Sequence, residues 1–287
     1  MDFIASYLVI AEIYALAAMS TNLLVGVTGI FSVSQAAIFG VGAYTVAILT
    51  GNGTVDFPLA MLIALVLCLV INALFALPAL RIAGDYFVVT SFGMQIAATA
   101  IYMNLTDLTG GASGLAGVPP ASLFGYDLDD AMKFLPLSTL LLLLGCLCFW
   151  LVLRSPFGRL VNAIREDELA VAAAGKNVLS TKVGVAALSG LFAGGAGGLY
   201  AVFFSFIDPT SFDIDASILL LTMIVVGGAR TLVGCLLGPA LLTALPQVLS
   251  ILPISSSAAG PMRQIIYGGL LILFMLYRPQ GIAGRKI

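Results

Sequence analysis

An all-α, polytopic transmembrane helical bundle is the fold class this sequence predicts. It has about nine hydrophobic segments (8–10), some of them broken, and a short cytoplasmic helix. Three observations predict it. Of 287 residues, 61% are hydrophobic and only 9% charged, whereas a soluble domain carries roughly a quarter charged residues to cover its surface. The few charges are clustered, which leaves 57–80, 86–106, 134–153, 184–207 and 216–229 without any. A run of about 20 apolar residues forms a helix that crosses a bilayer. Lys and Arg also segregate into alternate loops, as cytoplasmic loops require.

The hydrophobic segments lie near 4–26, 31–50, 57–80, 86–106, 134–153, 183–206, 216–229, 234–251 and 263–279. With no linker or repeat between them, residues 1–287 read as one transmembrane domain. No basic residue precedes the first segment, so it reads as a retained helix rather than a cleaved signal. Two gaps are long. Residues 107–133 are Gly/Pro-rich and acidic (Asp107, Asp127, Asp129 and Asp130 against Lys133), while 154–182 carry Arg154, Arg159, Arg165, Lys176 and Lys182. The second gap therefore faces the cytoplasm and the first faces out. Counting spans from there puts Asp208, Asp213 and Asp215 outside. It puts Arg81, Arg230 and the tail with Arg278, Arg285 and Lys286 inside, and the N-terminus outside.

Two interruptions stand out. Gly26-Val27-Thr28-Gly29 separates the first two segments, and Gly227-Gly228-Ala229-Arg230 cuts the seventh short. At about 13 residues the seventh reaches only ~20 Å as a helix against a hydrocarbon core of ~30 Å. It is either a half-helix or it borrows residues from 212–215. Broken helices at membrane depth require cover from protein or a watery cavity, and in transporters they often mark the solute path. The alternative is a short loop between two ordinary helices.

Several chemistries are excluded or disfavoured. The chain has no His, which removes the commonest general base and metal ligand. A phosphate-binding loop needs G-x-x-x-x-G-K-[ST]; Gly175-Lys176 is followed by Asn177. A net charge of −2 without a basic stripe argues against a nucleic-acid partner. Cys68, Cys146, Cys148 and Cys235 lie in apolar runs and read as small hydrophobes. What remains is polar and neutral. Ser32, Ser34, Gln35 and Tyr44 in the second segment, and Thr90 and Gln95 in the fourth, are candidates for a hydrogen-bonding solute route; the alternative is interhelical glue. The sixth segment is glycine-dense, and Gly190/Gly194 form a GxxxG pair suited to close helix contact. Glu12 is a carboxylate inside the first segment, costly there unless paired or wet. Asp85, at the start of the fourth segment, is placed to pair with Arg81.

The cytoplasmic loop is legible in detail. Ser155-Pro156 is a helix start, with a capping Ser and Pro at the first position. Arg165-Glu166-Asp167-Glu168 is a charged turn followed by Leu169 and an Ala-rich stretch, and Gly175 is a C-terminal stop. A helix this short needs a partner surface, either protein or lipid headgroups; its acidic turn disfavours an anionic membrane. One short helix from Arg165 to Gly175 is expected.

The chain resembles a known family on motifs that run along nearly all of it. These are Asn22-Leu23-Leu24-Val25-Gly26 with Thr28-Gly29, Gly40-Val41-Gly42-Ala43-Tyr44, Gly84-Asp85-Tyr86-Phe87, and Leu108-Thr109-Gly110-Gly111 with Gly114-Leu115. Further along come Arg154-Ser155-Pro156-Phe157-Gly158-Arg159, Ala163-Ile164-Arg165-Glu166-Asp167-Glu168-Leu169-Ala170, Val226-Gly227-Gly228, and Tyr277-Arg278-Pro279-Gln280-Gly281. They resemble the LivM-type permeases of branched-chain amino acid, amide and urea ABC importers. The resemblance implies a non-enzymatic subunit of the bacterial inner membrane that binds no cofactor itself. ATP and Mg would be held by cytoplasmic ATPase subunits, and the other partners would be a second, related permease and a periplasmic solute-binding protein. It also implies that Arg165, Glu166, Asp167, Glu168, Leu169 and Gly175 couple to the ATPase. The chain departs from the pattern in three places. The Glu-Ala-Ala signature reads Glu168-Leu169-Ala170 with Gly175 one position late, and Gln35 and Gln95 stand where relatives often carry His and Glu. The competing readings are an ion-coupled secondary transporter for a small solute and a membrane scaffold.

Overall fold

The computed structural model describes residues 2–51, 53, 55–79, 86–123, 126–251, 256–278 and 280–284. Helix α1 (Asp2–Thr21) runs into a π-helical turn (Asn22–Val27), followed by α2 (Gln35–Gly51), α3 (Phe57–Ala79), α4 (Tyr86–Asn104) and the single turn α5 (Thr106–Thr109). After the short strands β1 (Leu115–Ala116), β2 (Ser122–Leu123) and β3 (Tyr126–Asp127) come α6 (Ala131–Arg154), α7 (Pro156–Glu166), α8 (Glu168–Ala173) and α9 (Val178–Phe204). The chain continues through β4 (Phe206–Ile207), α10 (Ile214–Gly227), α11 (Leu232–Ile251) and α12 (Ser256–Tyr277). Each of the nine predicted hydrophobic segments coincides with one of these helices. Among the described residues five helices are long and apolar enough to cross a membrane, or six if α10 and α11 form one bent span.

Small residues put α9 in the centre. A Cβ added at Gly190 would meet the Cys68 carbonyl oxygen on α3, and one at Gly197 would meet the Phe39 carbonyl oxygen and, at 2.7 Å, the Ala43 nitrogen on α2. Both neighbours thus touch α9 backbone to backbone. This is how helices associate where lipid is as apolar as their side chains. In α9, 78% of the most apolar stretch is buried, against 11% in α6, whose outward Leu140, Leu143, Leu144, Leu147 and Leu151 form a lipid-facing surface. Arg154 ends α6 with its guanidinium 4.3 Å from the Trp150 ring centroid, an aromatic–cation pair suited to the membrane interface. Glu12 is offset where α1 meets α6: its carboxylate accepts from Ser138 Oγ (2.5 Å) and Thr139 Oγ1 (2.7 Å).

The seventh segment does take residues from the preceding loop, starting at Ile214 under an Asp213 cap. Even so it has only 14 residues, and α11 departs from it at 120°. The break is built from two left-handed residues, Gly228 (φ +116°) and Arg230 (φ +70°), and the half-helix reading holds. The two ends of the bundle differ in charge. At one, β1 pairs antiparallel with β4, Leu115 opposite Ile207, which ties the acidic 107–133 segment to the turn carrying Asp208. At the other, Arg230 Nη2 donates to Asn162 Oδ1 on α7 (3.0 Å). The tail returns to the same place, where Ile282 N–H donates to the Val226 carbonyl and Ala283 N–H to that of Gly227 (both 2.9 Å). Arg230, the basic loop and the tail therefore share one end. Arg81, Asp85, Arg285 and Lys286 lie outside the described residues.

Because the α9 contact leaves no room for a Cβ, Gly197→Ala lowers the stability of the purified chain by about 1–3 kcal/mol, the usual cost of overpacking. Gly93→Ala, where an added Cβ meets nothing within 4 Å, leaves it unchanged or slightly raised. Thermal unfolding in detergent measures both.

Candidate functional site

The site is organised around the start of α2, which forms inside the bundle rather than at its edge. Residues 28–34 follow the π-turn in largely non-helical conformation, with Thr28, Ser32, Val33 and Ser34 buried. A helix N-terminus leaves four N–H groups without intrahelical partners. Here side chains from distant helices serve two of them and one N–H just ahead of the helix. Ser91 Oγ on α4 accepts from Val33 N–H (3.1 Å), Ser217 Oγ on α10 from Ala36 N–H (3.1 Å), and Gln95 Oε1 on α4 from Ala37 N–H (3.0 Å). Gln95 Nε2 in turn donates to the Phe212 carbonyl (2.6 Å). Gln35, 1% exposed, accepts at Oε1 from Ser20 Oγ on α1 (2.6 Å) and Ser189 Oγ on α9 (3.0 Å). Its Nε2 is buried without a partner, as is the Tyr44 hydroxyl.

Two spaces flank this helix. A cavity of ≈ 20 Å³ beside the break is lined by Ser32, Ser34, Asn72, Ser91 and apolar neighbours. It is the size of a single water, too small for a larger solute. At the acidic end a larger space of ≈ 280 Å³ is lined by Ala47, Ile48 and Gly51 of α2, by Asp107 and Leu108, and by residues 115–118. Between them sits an aromatic layer. Tyr44 packs on Tyr102 (centroids 4.9 Å apart) and Phe39 on Phe212 (5.3 Å), and Tyr102 hydroxyl donates to the Ala37 carbonyl (2.6 Å).

The structure thus buries Ser32, Ser34, Gln35, Tyr44 and Gln95 in the interior of this chain. Thr90 stands apart, half-buried and bonded to the Tyr86 carbonyl of its own helix (2.9 Å).

The cytoplasmic loop differs from expectation in one respect. Residues Arg165 to Gly175 are not one helix. Asp167 is extended (φ −153°, ψ 101°), ends α7, and caps α8 by accepting from Ala170 N–H at 2.9 Å. The charged turn is therefore a joint. Ser155 caps α7 as read from sequence, accepting from Gly158 N–H (3.1 Å). Gly175 (φ +75°) ends α8, with Lys176 N–H returning to the Val171 carbonyl and Gly175 N–H to that of Ala172, a Schellman closure. No residue of α8 is buried, and Leu169 is 82% exposed. Glu166 and Asp167 are also exposed, and Glu168 pairs with Lys182 (2.6 Å). Arg165 turns the other way, packing against Gly29 beside Arg230. Burial, and then the Arg230 charge, lower its pKa below the ordinary guanidinium value.

Sequence reasoning missed Asn22, Asn162, Ser217 and the side chain of Arg230. Asn22 Oδ1 accepts from Arg230 N–H (2.9 Å), and its Nδ2 donates to Cys235 Sγ (2.8 Å) and to the Thr231 carbonyl (3.3 Å). An amide at the end of an apolar segment was the available signal. Its partners are more than 200 residues away, where no periodicity reaches. Among the described residues no cluster of His, Cys, Asp or Glu could hold a metal ion.

Membrane-spanning helices, two interruptions inside the bundle and a short helix pair at its basic end define a multi-pass transport permease. The chain belongs to the family described as the branched-chain amino acid transport system permease component, which it matches over residues 3–275. It is 29% identical over 293 residues to the high-affinity branched-chain amino acid transport system permease protein LivM of Escherichia coli (strain K12), an alignment covering 94% of this chain and 67% of that one. It is 25% identical over 236 residues to the probable LivM permease of Methanocaldococcus jannaschii (79% and 68% covered), and 26% identical over 190 residues to the ribose import permease protein RbsC of Bacillus subtilis (63% and 57%). No solved structure matches.

The cross-helix cap has a local consequence. Gln95→Leu leaves Ala37 N–H and the Phe212 carbonyl without partners, a cost of about 1–3 kcal/mol per buried group. Amide exchange over residues 36–39 speeds up, while exchange in the middle of α9 stays slow. Hydrogen exchange with mass spectrometry reads both segments.

Proposed function

We propose that this chain is one of two related permease subunits of an ATP-driven importer of branched-chain amino acids in a bacterial inner membrane. Separate cytoplasmic ATPase subunits would hold ATP and Mg, and a periplasmic binding protein would deliver the solute. The observation that carries the energy-coupling part is α8. It is too short to be stable alone, none of its residues is buried in this chain, and it projects a fully presented Leu169 beside Glu166–Glu168 from the basic end. A partner surface with an apolar slot and basic rim fits it. The family match, and the solute in the names of the LivM relatives, support the choice of solute.

In this reading, solute enters the ≈ 280 Å³ space at the acidic end and passes the aromatic layer at Tyr44. It then crosses the 28–34 break, where Ser32, Ser34 and the free amide of Gln35 offer neutral hydrogen-bonding groups. Gln95 holds the head of α2 in place, while Thr90 lies away from this route. So small a space at the break requires a conformational change for passage, as alternating access does.

Two measurements test this. Cysteine placed at position 120 is labelled by an impermeant reagent from outside and cysteine at 170 is not; the reverse pattern overturns the orientation. Leu169→Asp, at an exposed position, leaves folding intact. It lowers solute uptake by about tenfold or more, the loss of roughly 1.4 kcal/mol of docking energy per decade, and weakens co-purification of the ATPase. Normal uptake with the ATPase still bound would place the contact elsewhere.

A further inference from the structure

Arg230 adopts a left-handed backbone (φ +70°), which is strained for a residue other than glycine. Such strain persists only where surroundings over-determine it. Here they do, through both the backbone and the side chain. Its N–H donates to Asn22 Oδ1 (2.9 Å) at the end of α1, and its Nη2 donates to Asn162 Oδ1 (3.0 Å) on α7. A Cβ added at Gly26 in the π-turn would lie 3.0 Å from the Arg230 nitrogen, so the approach is close. Asn162 is itself held, its Nδ2 donating to the Gly158 carbonyl (2.9 Å).

The electrostatics make this contact adjustable. Arg165, also on α7, sits beside Arg230. Among the described residues neither guanidinium forms an ion pair, the pairs being Lys133–Asp130 and Lys182–Glu168. Helix α7 thus presents one attractive group and one repulsive group to the same side chain. A small displacement of α7 changes their balance at Arg230, and Arg230 sits in the turn about which α11 departs from α10 at 120°.

We infer that Arg230, held by Asn162, is the positioning residue that makes the α10–α11 break follow the cytoplasmic helix α7. The inference rests on the importer reading above and extends it: α8 receives the ATPase's movement, α7 carries it, and the Arg230–Asn162 contact hands it to the membrane domain. Coupling claims of this kind require a measured interaction between the two positions, not proximity alone.

The test uses the complete importer in proteoliposomes and measures solute uptake and ATP hydrolysis together. Asn162→Ala and Arg230→Ala each lower the ratio of solute imported to ATP hydrolysed by about tenfold, while ATP hydrolysis stays within about twofold. The double variant is no worse than either single variant, since both remove one contact. Asn162→Leu keeps most of the volume but removes the acceptor for Nη2, and lowers the ratio as Asn162→Ala does, which a purely packing role would not give. A wild-type complex without ATP-dependent uptake overturns the importer reading and the link with it. ATP-dependent uptake with an unchanged ratio in both single variants, or additive losses in the double variant, overturns the link alone.

Discussion

Backbone polar groups that leave a helix inside a bilayer must find partners there, and this constraint organises the molecule. The chain breaks its helices at 28–34 and at 228–231, the first break being served by side chains and the second by a side chain together with the backbone of the tail. At the first, Ser91, Ser217 and Gln95 accept the N–H groups of an incipient α2. At the second, Asn22 accepts from Arg230 N–H, and the returning tail bonds to the carbonyls of Val226 and Gly227. Each unsatisfied group in hydrocarbon costs several kcal/mol. The three elements that carry these side chains, α4, α10 and the π-turn after α1, are therefore fixed relative to the breaks they serve.

Such a scheme needs a rigid centre, and α9 provides it. Its glycines let α2 and α3 approach at backbone distance, so Ser189 on α9 reaches Gln35 (3.0 Å) and Asn72 on α3 reaches the Ala186 carbonyl (2.7 Å). With larger residues at Gly190 or Gly197 those polar contacts would lengthen beyond hydrogen-bonding range. The glycine density thus serves the polar network as much as the packing.

Much of this was legible in the sequence because the bilayer imposes length and polarity on each segment. The nine segments, the Ser155–Pro156 helix start, the Gly175 stop and the short seventh segment follow from local rules. Contacts that depend on tertiary placement were not legible. Gln35 and Gln95 read as candidates for a solute route or for interhelical glue, and their amide oxygens accept hydrogen bonds from within the chain. Nothing local marks Ser217 as the acceptor for a residue 181 positions away. The break at Asp167 was missed for a different reason: an Asp inside a charged turn suits both a helix interior near its start and a cap, and only the extended backbone decides between them.

The two breaks are not independent, because the end of α1 serves both. Ser20, in its last turn, bonds to Gln35 at the head of α2, and Asn22, two residues on, bonds to Arg230 at the second break. From Asn22 onward the helix widens into a π-turn, a geometry that accommodates one extra residue per turn and is often found where a helix has to yield. Moving α1's end to open the first break would pull Asn22 from Arg230, Thr231 and Cys235 together. Moving the second break would disturb Ser20's hold on Gln35. A polar network with each member satisfied resists partial rearrangement, since any half-broken state leaves buried groups unpaired. The two breaks are therefore tied to one another through the end of α1, and Asn162 on α7 bonds to the second of them.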